Sequence, residues 1–410
     1  MAKFTKHSLQ LSELLRLIPE EIFVEIARDT QVDYYAKVLK GKMLFNMLFY
    51  AMLTVDKLGQ RGLADVFSSP QFRLLFNVET DKETLSHSSV SERLSSLNVE
   101  FFAQVYEYIL ATFSRLYPAQ NIAGLQLQRV DSSLVAETSN KLKEGMTCGN
   151  EYKKKKMVKY TLNYDGMYGT CAAVHTAEKY ANESLALPKN VTGHFKRTPD
   201  HALAYVFDRG QSSGNAFSEM KSNQGLLFVG RLMENRKLVV VKNFDLTFRH
   251  FSHGELKQDA LVRIYTTEET VSKNGKPVRK QVLINDIFRV IRFRPADSDH
   301  DILLITNILC LRAETVAQMY RRRWDIEVWF RFLKQELNFS HFLSLNENGI
   351  RIVLYMTLIV AMLIRIYKQE NQLGYKTAKR RMKIELQELI IAIAVVHSGG
   401  DLKRLNLPAP

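Results

Sequence analysis

The chain has very little cysteine, which limits the sites that it can build. Its three cysteines, Cys148, Cys171 and Cys310, are far apart and odd in number. A disulfide framework and a cysteine-based zinc site are therefore excluded, and the composition fits a reducing cytoplasm. His250 and His253 form a His-x2-His pair, but no partner ligands follow at zinc spacing, so we expect surface or core histidines there.

The sequence also lacks an apolar run long enough to cross a bilayer. Its most apolar run, Ile352 to Ile364, is flanked by Arg351 and Arg365 and falls short of the roughly 18–20 residues that a membrane span needs. The N-terminal residues Met-Ala-Lys-Phe-Thr-Lys have no apolar core of the kind that a signal peptide carries. We therefore predict a buried helix at this run and no membrane partner.

Positive charge is what the chain has in excess. It carries 57 Lys and Arg residues against 43 Asp and Glu residues, a formal net charge of +14. This excess favours a polyanionic partner, although a ribosomal or membrane-surface protein would share it. With 410 residues and 46% hydrophobic content, the chain can build two or three domains with substantial cores.

Four polar side chains of different chemistry share one face of a predicted helix. At roughly 100° per residue, one side of this helix carries an aromatic hydroxyl, a guanidinium, a carboxylate and an ammonium, whereas Asp325 falls near the opposite side. The four residues are Tyr320, Arg323, Glu327 and Lys334. A metal-bound phosphodiester needs such a set, with a carboxylate for the cation and the other groups for phosphate oxygens. A solvated amphipathic helix would carry the same residues.

The spacing Tyr-x2-Arg-x3-Glu-x6-Lys resembles the signature of the IS4 family of bacterial insertion-sequence transposases. That family has an RNase H-like core with an Asp-Asp-Glu triad, so the resemblance implies two aspartates upstream of Glu327. Asp131 ends a strand-like alternating segment, and Asp208 ends a short apolar run before Arg209-Gly210. Either aspartate alone would more often cap a strand or start a turn. The resemblance makes Asp131, Asp208 and Glu327 the catalytic residues and metal ligands.

The order of predicted elements agrees with an α/β fold built on an RNase H-like mixed sheet. Two strands joined at Asp165-Gly166 read as a hairpin, a helix follows from Gly214 to Gln224, and Asn274-Gly275 marks a later hairpin turn. The separation between Asp208 and Glu327 is too long for a simple crossover. We predict a helical DNA-binding domain (1–120), the first part of the core (121–232), a β-rich insertion (233–308), the core's signature helix (309–345) and a helical C-terminal region (346–410).

Two further basic features are candidates for DNA contact. One is a lysine run that is usually a solvated loop but can clamp a DNA backbone. The run comprises Lys153, Lys154, Lys155 and Lys156. The other is Arg93, on a short helix for which Ser89 and Glu92 predict a capping box. Such a helix suits phosphate contact or a helix-turn-helix reader, and an ordinary capped surface helix is equally compatible.

The resemblance also implies a mechanism. Three carboxylates without histidine or cysteine ligands favour Mg2+ or Mn2+, two ions per site, with Asp131 bridging them. The expected steps are cleavage at the element's end, a hairpin intermediate and joining to target DNA. Tyr320, Arg323 and Lys334 would hold the 5′ phosphate side. The expected partners are the double-stranded transposon ends and target DNA, bound by a homodimer at the nucleoid of a bacterial cytoplasm.

One departure from relatives concerns a flipped base, which some of them stack on a tryptophan of the insertion. Both tryptophans here, Trp324 and Trp329, lie in the signature segment. If a base is flipped, Phe244, Phe248 or Phe251 would have to receive it, and core packing explains each of them equally well.

Two other functions remain open from the sequence. An RNase H-like nuclease or a domesticated transposase would cut without joining and would share the triad. A basic DNA-binding protein without activity would carry the same acids in structural roles.

Overall fold

The computed structural model describes residues 9–137, 141–148, 155–198, 202–211, 213–246, 250–251, 254–271 and 277–402. The chain divides into two compact units. We call residues 1–118, 135–157 and 330–410 the helical unit, and residues 119–134 and 158–329 the sheet unit. The finer five-part division made from the sequence stays a prediction.

Helices from both ends of the chain make up most of the helical unit. They are α1 (Leu11–Arg16), α2 (Glu20–Thr30), α3 (Gly41–Thr54), α4 (Gln60–Ser68), α5 (Pro70–Leu75), α6 (His87–Ser96), α7 (Glu100–Leu116), α12 (Glu347–Glu370) and α13 (Tyr375–His397). Helix α12 packs against α3, α6, α7 and α13. At 24 residues, α12 is longer than the apolar run from Ile352 to Ile364 that predicted it. By length and composition it could cross a membrane. However, 78% of its most apolar window is buried inside the protein, as in a core helix.

Helix α6 begins one turn earlier than the sequence predicted. Its N-cap is Ser86, whose hydroxyl accepts the backbone N–H of Ser89 at 3.0 Å. The predicted capping box of Ser89 and Glu92 is therefore wrong. The reason is that this serine-rich segment offers a capping hydroxyl at the position preceding His87, which satisfies the first free N–H groups of the helix.

The sheet unit contains most of the strands of the chain, and the last of these strands ends shortly before the signature segment. The strands of the chain are β1 (Asn121–Ile122), β2 (Leu125–Ala136), β3 (Met146–Cys148), β4 (Lys155–Tyr164), β5 (Gly169–His175), β6 (Leu203–Phe207), β7 (Leu227–Leu232), β8 (Leu238–Asn243), β9 (His250–Phe251), β10 (Gly254–Val271), β11 (Pro277–Leu283), β12 (Phe288–Pro295) and β13 (Ile302–Thr306). Strand β3 and the start of β4 belong to the helical unit, where they pair antiparallel.

The central strands have the order β5-β4-β2-β6-β7. Strands β4 and β5 are antiparallel, whereas β2, β6 and β7 run parallel to one another. This order and these directions confirm the RNase H-like mixed sheet predicted from the sequence. The helix α8 (Glu183–Arg197) connects β5 to β6, and α9 (Gly214–Ser222) connects β6 to β7.

Side chains alternate between two cores on the faces of this sheet, as the period of two in a strand requires. From β6, Tyr205 and Phe207 enter a core that also contains residues of α8 and α9. Ala204 and Val206, which alternate with them along β6, enter a second core. This core includes Tyr320 of the helix α10 (Ala313–Arg321). Helix α10 is thereby fixed across the face opposite α8 and α9.

The β-rich insertion is confirmed. Strands β13, β12 and β10 extend the sheet antiparallel beyond β7, and β8, β9 and β11 pair with β10. A buried ion pair joins two of these strands, because Arg289 of β12 binds Asp259 of β10 through Nε at 2.8 Å and Nη2 at 2.6 Å. Arg289 also donates to the carbonyl of Leu311, just before α10. The predicted turn at Asn274-Gly275 lies outside the described residues.

Candidate active site

Asp131 is half-buried and lies within β2, which continues to Ala136. The prediction that it ends its strand is therefore wrong, because β2 runs on beyond its parallel pairing with β6. Asp131 Oδ1 accepts the backbone N–H of Ser132 at 2.8 Å. Burial raises the pKa of Asp131 from 3.8 to about 6. The Ser132 N–H and the charge of Arg323 oppose this rise, whereas the charges of Glu183 and Glu327 add to it. The charges of two other acids and one guanidinium therefore act on Asp131.

Asp208 directly follows β6, beside Asp131. The last pair in the register of the two parallel strands is Arg129 with Val206, and each aspartate lies two residues beyond its member of that pair. Burial alone would raise the pKa of Asp208, but it lies below 3.8 because favourable contacts outweigh burial. These contacts are with the N–H of Arg209, the charges of Arg323 and Arg231, and the hydroxyl of Tyr320. The Tyr320 hydroxyl donates to Asp208 Oδ1 at 3.0 Å.

The signature residues lie on two helices rather than on one, which corrects the prediction of a single helix. Tyr320 belongs to α10, which ends at Arg321, and Glu327 belongs to α11 (Trp324–Glu336). Arg322 and Arg323 form the turn between the two helices. Tyr320 still points to the same site, because the Arg323 N–H bonds the Tyr320 carbonyl at 2.9 Å and keeps the break to a single tight turn.

Arg323 is the group that the three predicted carboxylates share. Its Nη1 lies 2.6 Å from Oε1 of Glu327, and its charge acts on both Asp131 and Asp208. Burial would lower the pKa of Arg323, but Asp208, Tyr320 and Glu327 raise it above its usual value. Arg323 therefore interacts with all three predicted carboxylates, with Glu327 through an ion pair and with Asp131 and Asp208 through its charge.

Sequence reasoning missed Arg129, which fixes the turn between α10 and α11. Its buried guanidinium donates from Nε to the Arg322 carbonyl at 3.1 Å and from Nη2 to Asp325 at 3.0 Å. Nη1 binds the carbonyls of Leu127 and Asp165. Because Arg129 is two residues before Asp131 on β2, it ties the first carboxylate to the start of the helix that carries Glu327. Asp325 accepts one of these hydrogen bonds from Arg129, in agreement with its predicted position on the side of the helix opposite Glu327.

A buried hairpin turn supports Arg129 from the other side. The backbone N–H groups of Met167 and Tyr168 donate to the Asp165 carboxylate, each at 2.7 Å, and this closes the predicted Asp-Gly turn between β4 and β5. Gly166 has a φ of +103°, and a Cβ there would lie 3.1 Å from Nη1 of Arg129. A glycine is thus required both by the backbone and by the guanidinium beside it.

A cleft of about 400 Å³ opens next to Tyr320 and Arg323. Its lining combines cationic and aromatic side chains, among them Arg231, Arg321, Phe251 and Trp324. Trp324 is 54% exposed. Of the candidates for a flipped base, Phe251 lines this cleft and Phe244 lies under the Arg289 guanidinium at 5.5 Å. Phe248 lies outside the described residues.

The other predicted contacts are placed as follows. Lys334 lies on α11 in the helical unit, with its ammonium 6.0 Å from the centre of the Phe330 ring. Lys156 donates to the Lys143 carbonyl, and Lys155 is exposed at the start of β4. Lys153 and Lys154 lie outside the described residues. Their roles in DNA binding stay predictions.

Arg93 has a local structural role. It donates to the carbonyls of Leu39 at 2.8 Å and Val32 at 2.6 Å. Burial lowers its pKa. These bonds use donors that a phosphate would need, so they do not favour the DNA contact, which stays a prediction.

The donor set fits a hard divalent cation. In the part of the chain that the structure describes, no group of three or more His, Cys, Asp or Glu residues is already arranged to hold an ion. Asp131, Asp208 and Glu327 nevertheless all interact with the charge of Arg323. They offer only oxygen donors, which Mg2+ and Mn2+ prefer.

Comparison with known proteins identifies the family. Residues 124–363 match the family described as Transposase DDE domain. The chain belongs to the DDE transposase family. The match runs from the start of β2 into α12, so it includes the three carboxylates, and it confirms the family predicted from the signature spacing.

Three relatives of this DDE-family chain carry transposase names. A Sinorhizobium fredii protein is 30% identical over 177 residues, 42% of this chain and 45% of its own. A Geobacillus stearothermophilus protein named for insertion sequence element IS5377 is 32% identical over 35% of this chain and 37% of its own. A Synechocystis protein named for element IS4SA is 24% identical over 48% of this chain and 47% of its own. The chain thus covers less than half the length of each relative.

One solved structure is similar over most of the chain. It is the piggyBac transposase in a synaptic complex with hairpin DNA, which matches 98% of this chain and 83% of its own at 11% identity. The TM-score is 0.45, too low to support any argument about this DDE-family member.

Proposed function

We propose that the chain is a DNA transposase that moves its own insertion sequence by metal-dependent strand cleavage and strand transfer. The observation that carries this proposal is the convergence of Asp131, Asp208 and Glu327 on Arg323. Membership of the DDE transposase family and the net charge of +14 support it. In this account the acids are the catalytic residues and hold two Mg2+ or Mn2+ ions.

The three carboxylates would hold the ions at the sheet edge. Bound ions would supply a water nucleophile at neutral pH and stabilise the leaving oxygen of the phosphodiester. Asp131, half-buried, and Asp208, bonded by Tyr320, are both held by the backbone of adjacent strands, so their positions are fixed before DNA arrives. Glu327 is held by Arg323 and reaches the site from α11.

Tyr320 and Arg323 are proposed to hold the 5′ phosphate side of the DNA end. Both line the cleft, where Arg231 and Arg321 add positive charge. A guanidinium can bind phosphate through two parallel hydrogen bonds, and the tyrosine hydroxyl can add one. Lys334, which completes the family signature, is proposed to contact the same DNA end.

A prediction for Arg323 separates this role from general DNA binding. Arg323→Ala should slow cleavage and hairpin opening at transposon ends far more than it weakens binding to unrelated DNA. Arg323→Lys keeps the charge and loses the paired hydrogen bonds, so it should recover little. Gel shifts with end and random duplexes, run beside cleavage assays, compare the two effects. An equal loss of affinity for every duplex would contradict the assignment.

The remaining elements of the proposal concern partners. The substrates are double-stranded transposon ends and target DNA, the helical region 1–120 binds DNA, and two copies bring two ends together. The freed 3′ hydroxyl attacks the opposite strand to form a hairpin, which is reopened before joining. Such a protein would act at the nucleoid of a bacterial cytoplasm.

The test uses a supercoiled plasmid that carries the gene's own flanking ends. Wild type and Glu327→Gln are incubated with it in Mg2+ or in EDTA. Release of the flanked segment by wild type in Mg2+ alone, followed by its joining to a second plasmid, supports the proposal. Cutting without joining indicates a nuclease, and binding without cleavage in any metal indicates a DNA-binding protein whose acids are structural.

A further inference from the structure

Glu183 is a further acid at the site, and the signature does not include it. It is the first residue of α8, after the N-cap Asn182. Its Oε2 accepts a hydrogen bond from Nζ of the buried Lys159 at 2.9 Å, and its Oε1 accepts one from the Ser132 hydroxyl at 2.7 Å. Its charge acts on Asp131. The side chain is 23% exposed, so it lies at the edge of the site rather than in open solvent.

The hydrogen bonds around Ser132 have one possible direction. An ionised carboxylate can only accept, so the Ser132 hydroxyl donates to Glu183. The buried Thr161 hydroxyl, 2.8 Å from Ser132 Oγ, must then donate to Ser132. Ser132 is held from both sides, and its backbone N–H is the group that donates to Asp131 Oδ1. Glu183 thus fixes the position of Ser132, the residue that orients the Asp131 carboxylate.

The same side chain packs against the second aspartate's turn. A Cβ placed on Gly210, two residues after Asp208, would lie 3.0 Å from Cγ of Glu183 and 3.4 Å from its Cβ. The absence of a side chain at Gly210 is what lets Glu183 lie against this turn. Glu183 therefore contacts both aspartate-bearing segments, through Ser132 on β2 and through Gly210 after β6.

We propose that Glu183 is a positioning residue that holds Asp131 and Asp208 at the spacing needed for metal binding. This inference rests on the proposed role of the two aspartates as metal ligands. Both Glu183 oxygens are engaged, so it acts through Ser132 and Gly210 rather than as a ligand. Lys159 balances its charge, which lets a further carboxylate lie beside the triad without adding a net negative charge.

The experiment measures Mn2+ binding to the full chain by calorimetry without DNA. The variants are Glu183→Gln, which removes the ion pair, and Ser132→Ala, which removes only the linking hydroxyl. Glu178→Gln, at an exposed acid in the 3-10 helix before α8, is the matched control. We expect Glu183→Gln and Ser132→Ala each to raise the Kd for Mn2+ by about tenfold or more, as loss of a supporting hydrogen bond does at other metal sites. Glu178→Gln should leave the Kd unchanged.

Two controls keep the outcomes distinct. Thermal melting and gel shifts in EDTA should match wild type for Ser132→Ala, which shows that the effect on Mn2+ binding does not come from misfolding. Wild-type affinity for Mn2+ in both Glu183→Gln and Ser132→Ala overturns the inference about Glu183. If Asp131→Asn also binds Mn2+ like wild type, the proposed metal site itself fails.

Discussion

Asp131 lies where a negative charge raises the free energy of the folded chain. Burial is the main cause of its pKa of about 6, with Glu183 and Glu327 adding to it and Arg323 and the Ser132 N–H opposing it. A raised pKa means that the folded protein holds this proton more tightly than the unfolded chain does. The stabilisation from protonation is complete below pH 3.8 and is lost as the pH rises through 6.

A prediction at the scale of this residue follows for the metal-free protein. In EDTA, Asp131→Asn should melt at a higher temperature than wild type at pH 7.5, and the difference should shrink towards pH 5. About two pKa units at 1.36 kcal/mol each, reduced for partial solvent access, give about 1–2 kcal/mol. Thermal melting from pH 5 to pH 8 measures the difference. Parallel pH curves for the two proteins would contradict the account of Asp131.

At the scale of elements, the site depends on how α10 and α11 meet β2. Arg129 donates hydrogen bonds to the carbonyl of Arg322 and to the carboxylate of Asp325, both at the junction of the two helices. The Arg322 carbonyl therefore accepts a hydrogen bond from a side chain of another element. In a single continuous helix, a backbone N–H of that helix would be its partner. The ring of Trp329 stacks on Tyr164 of β4 with ring centres 4.8 Å apart and an angle of 11°, which holds α11 two residues after Glu327.

Replacing Arg129 tests this junction. Arg129→Met should destabilise the fold by about 3 kcal/mol, since several buried acceptors lose their donors. It should also reduce cleavage strongly although every carboxylate remains. Urea unfolding and single-turnover cleavage measure the two effects. Asp325→Asn is the matched control and should be mild, because Asp325 is 37% exposed. Wild-type cleavage by Arg129→Met would show that the junction does not position Glu327.

These elements also show what the sequence could and could not predict. The strands on either side of Asp165-Gly166, the helix after Asp208 and the β-rich insertion follow from local patterns of apolar residues and turns. The break at Arg322 does not, because Arg129, which donates to the Arg322 carbonyl, is remote in the sequence. Glu183, on α8, was missed for the same reason, since its partners Ser132 and Lys159 lie on strands remote from it in the sequence. The capping of α6 failed on a local ambiguity, because several serines compete to cap it.

For the whole molecule, the excess of positive charge predicts how DNA binding responds to salt. If phosphate contacts dominate, affinity for random duplexes should fall by about a hundredfold or more between about 50 and 200 mM salt, as released counterions oppose binding. Fluorescence anisotropy over a salt series gives the slope of the logarithm of Kd. A flat response would mean that the net charge of +14 is not used to bind DNA.

The central claim is that Asp131, Asp208 and Glu327 form one metal-dependent active site. The most direct test is single-turnover cleavage of a short duplex carrying the element's end, in Mg2+, by wild type, Glu327→Gln and Asp325→Asn. The two acids are two residues apart on α11, and Asp325 pairs with Arg129 instead of Arg323. We predict that Glu327→Gln cuts about a thousandfold more slowly or not at all, because several kcal/mol of transition-state stabilisation are lost. Asp325→Asn should stay within about tenfold of wild type, a loss of about 1.4 kcal/mol. Equal rates for Glu327→Gln and wild type would contradict the claim.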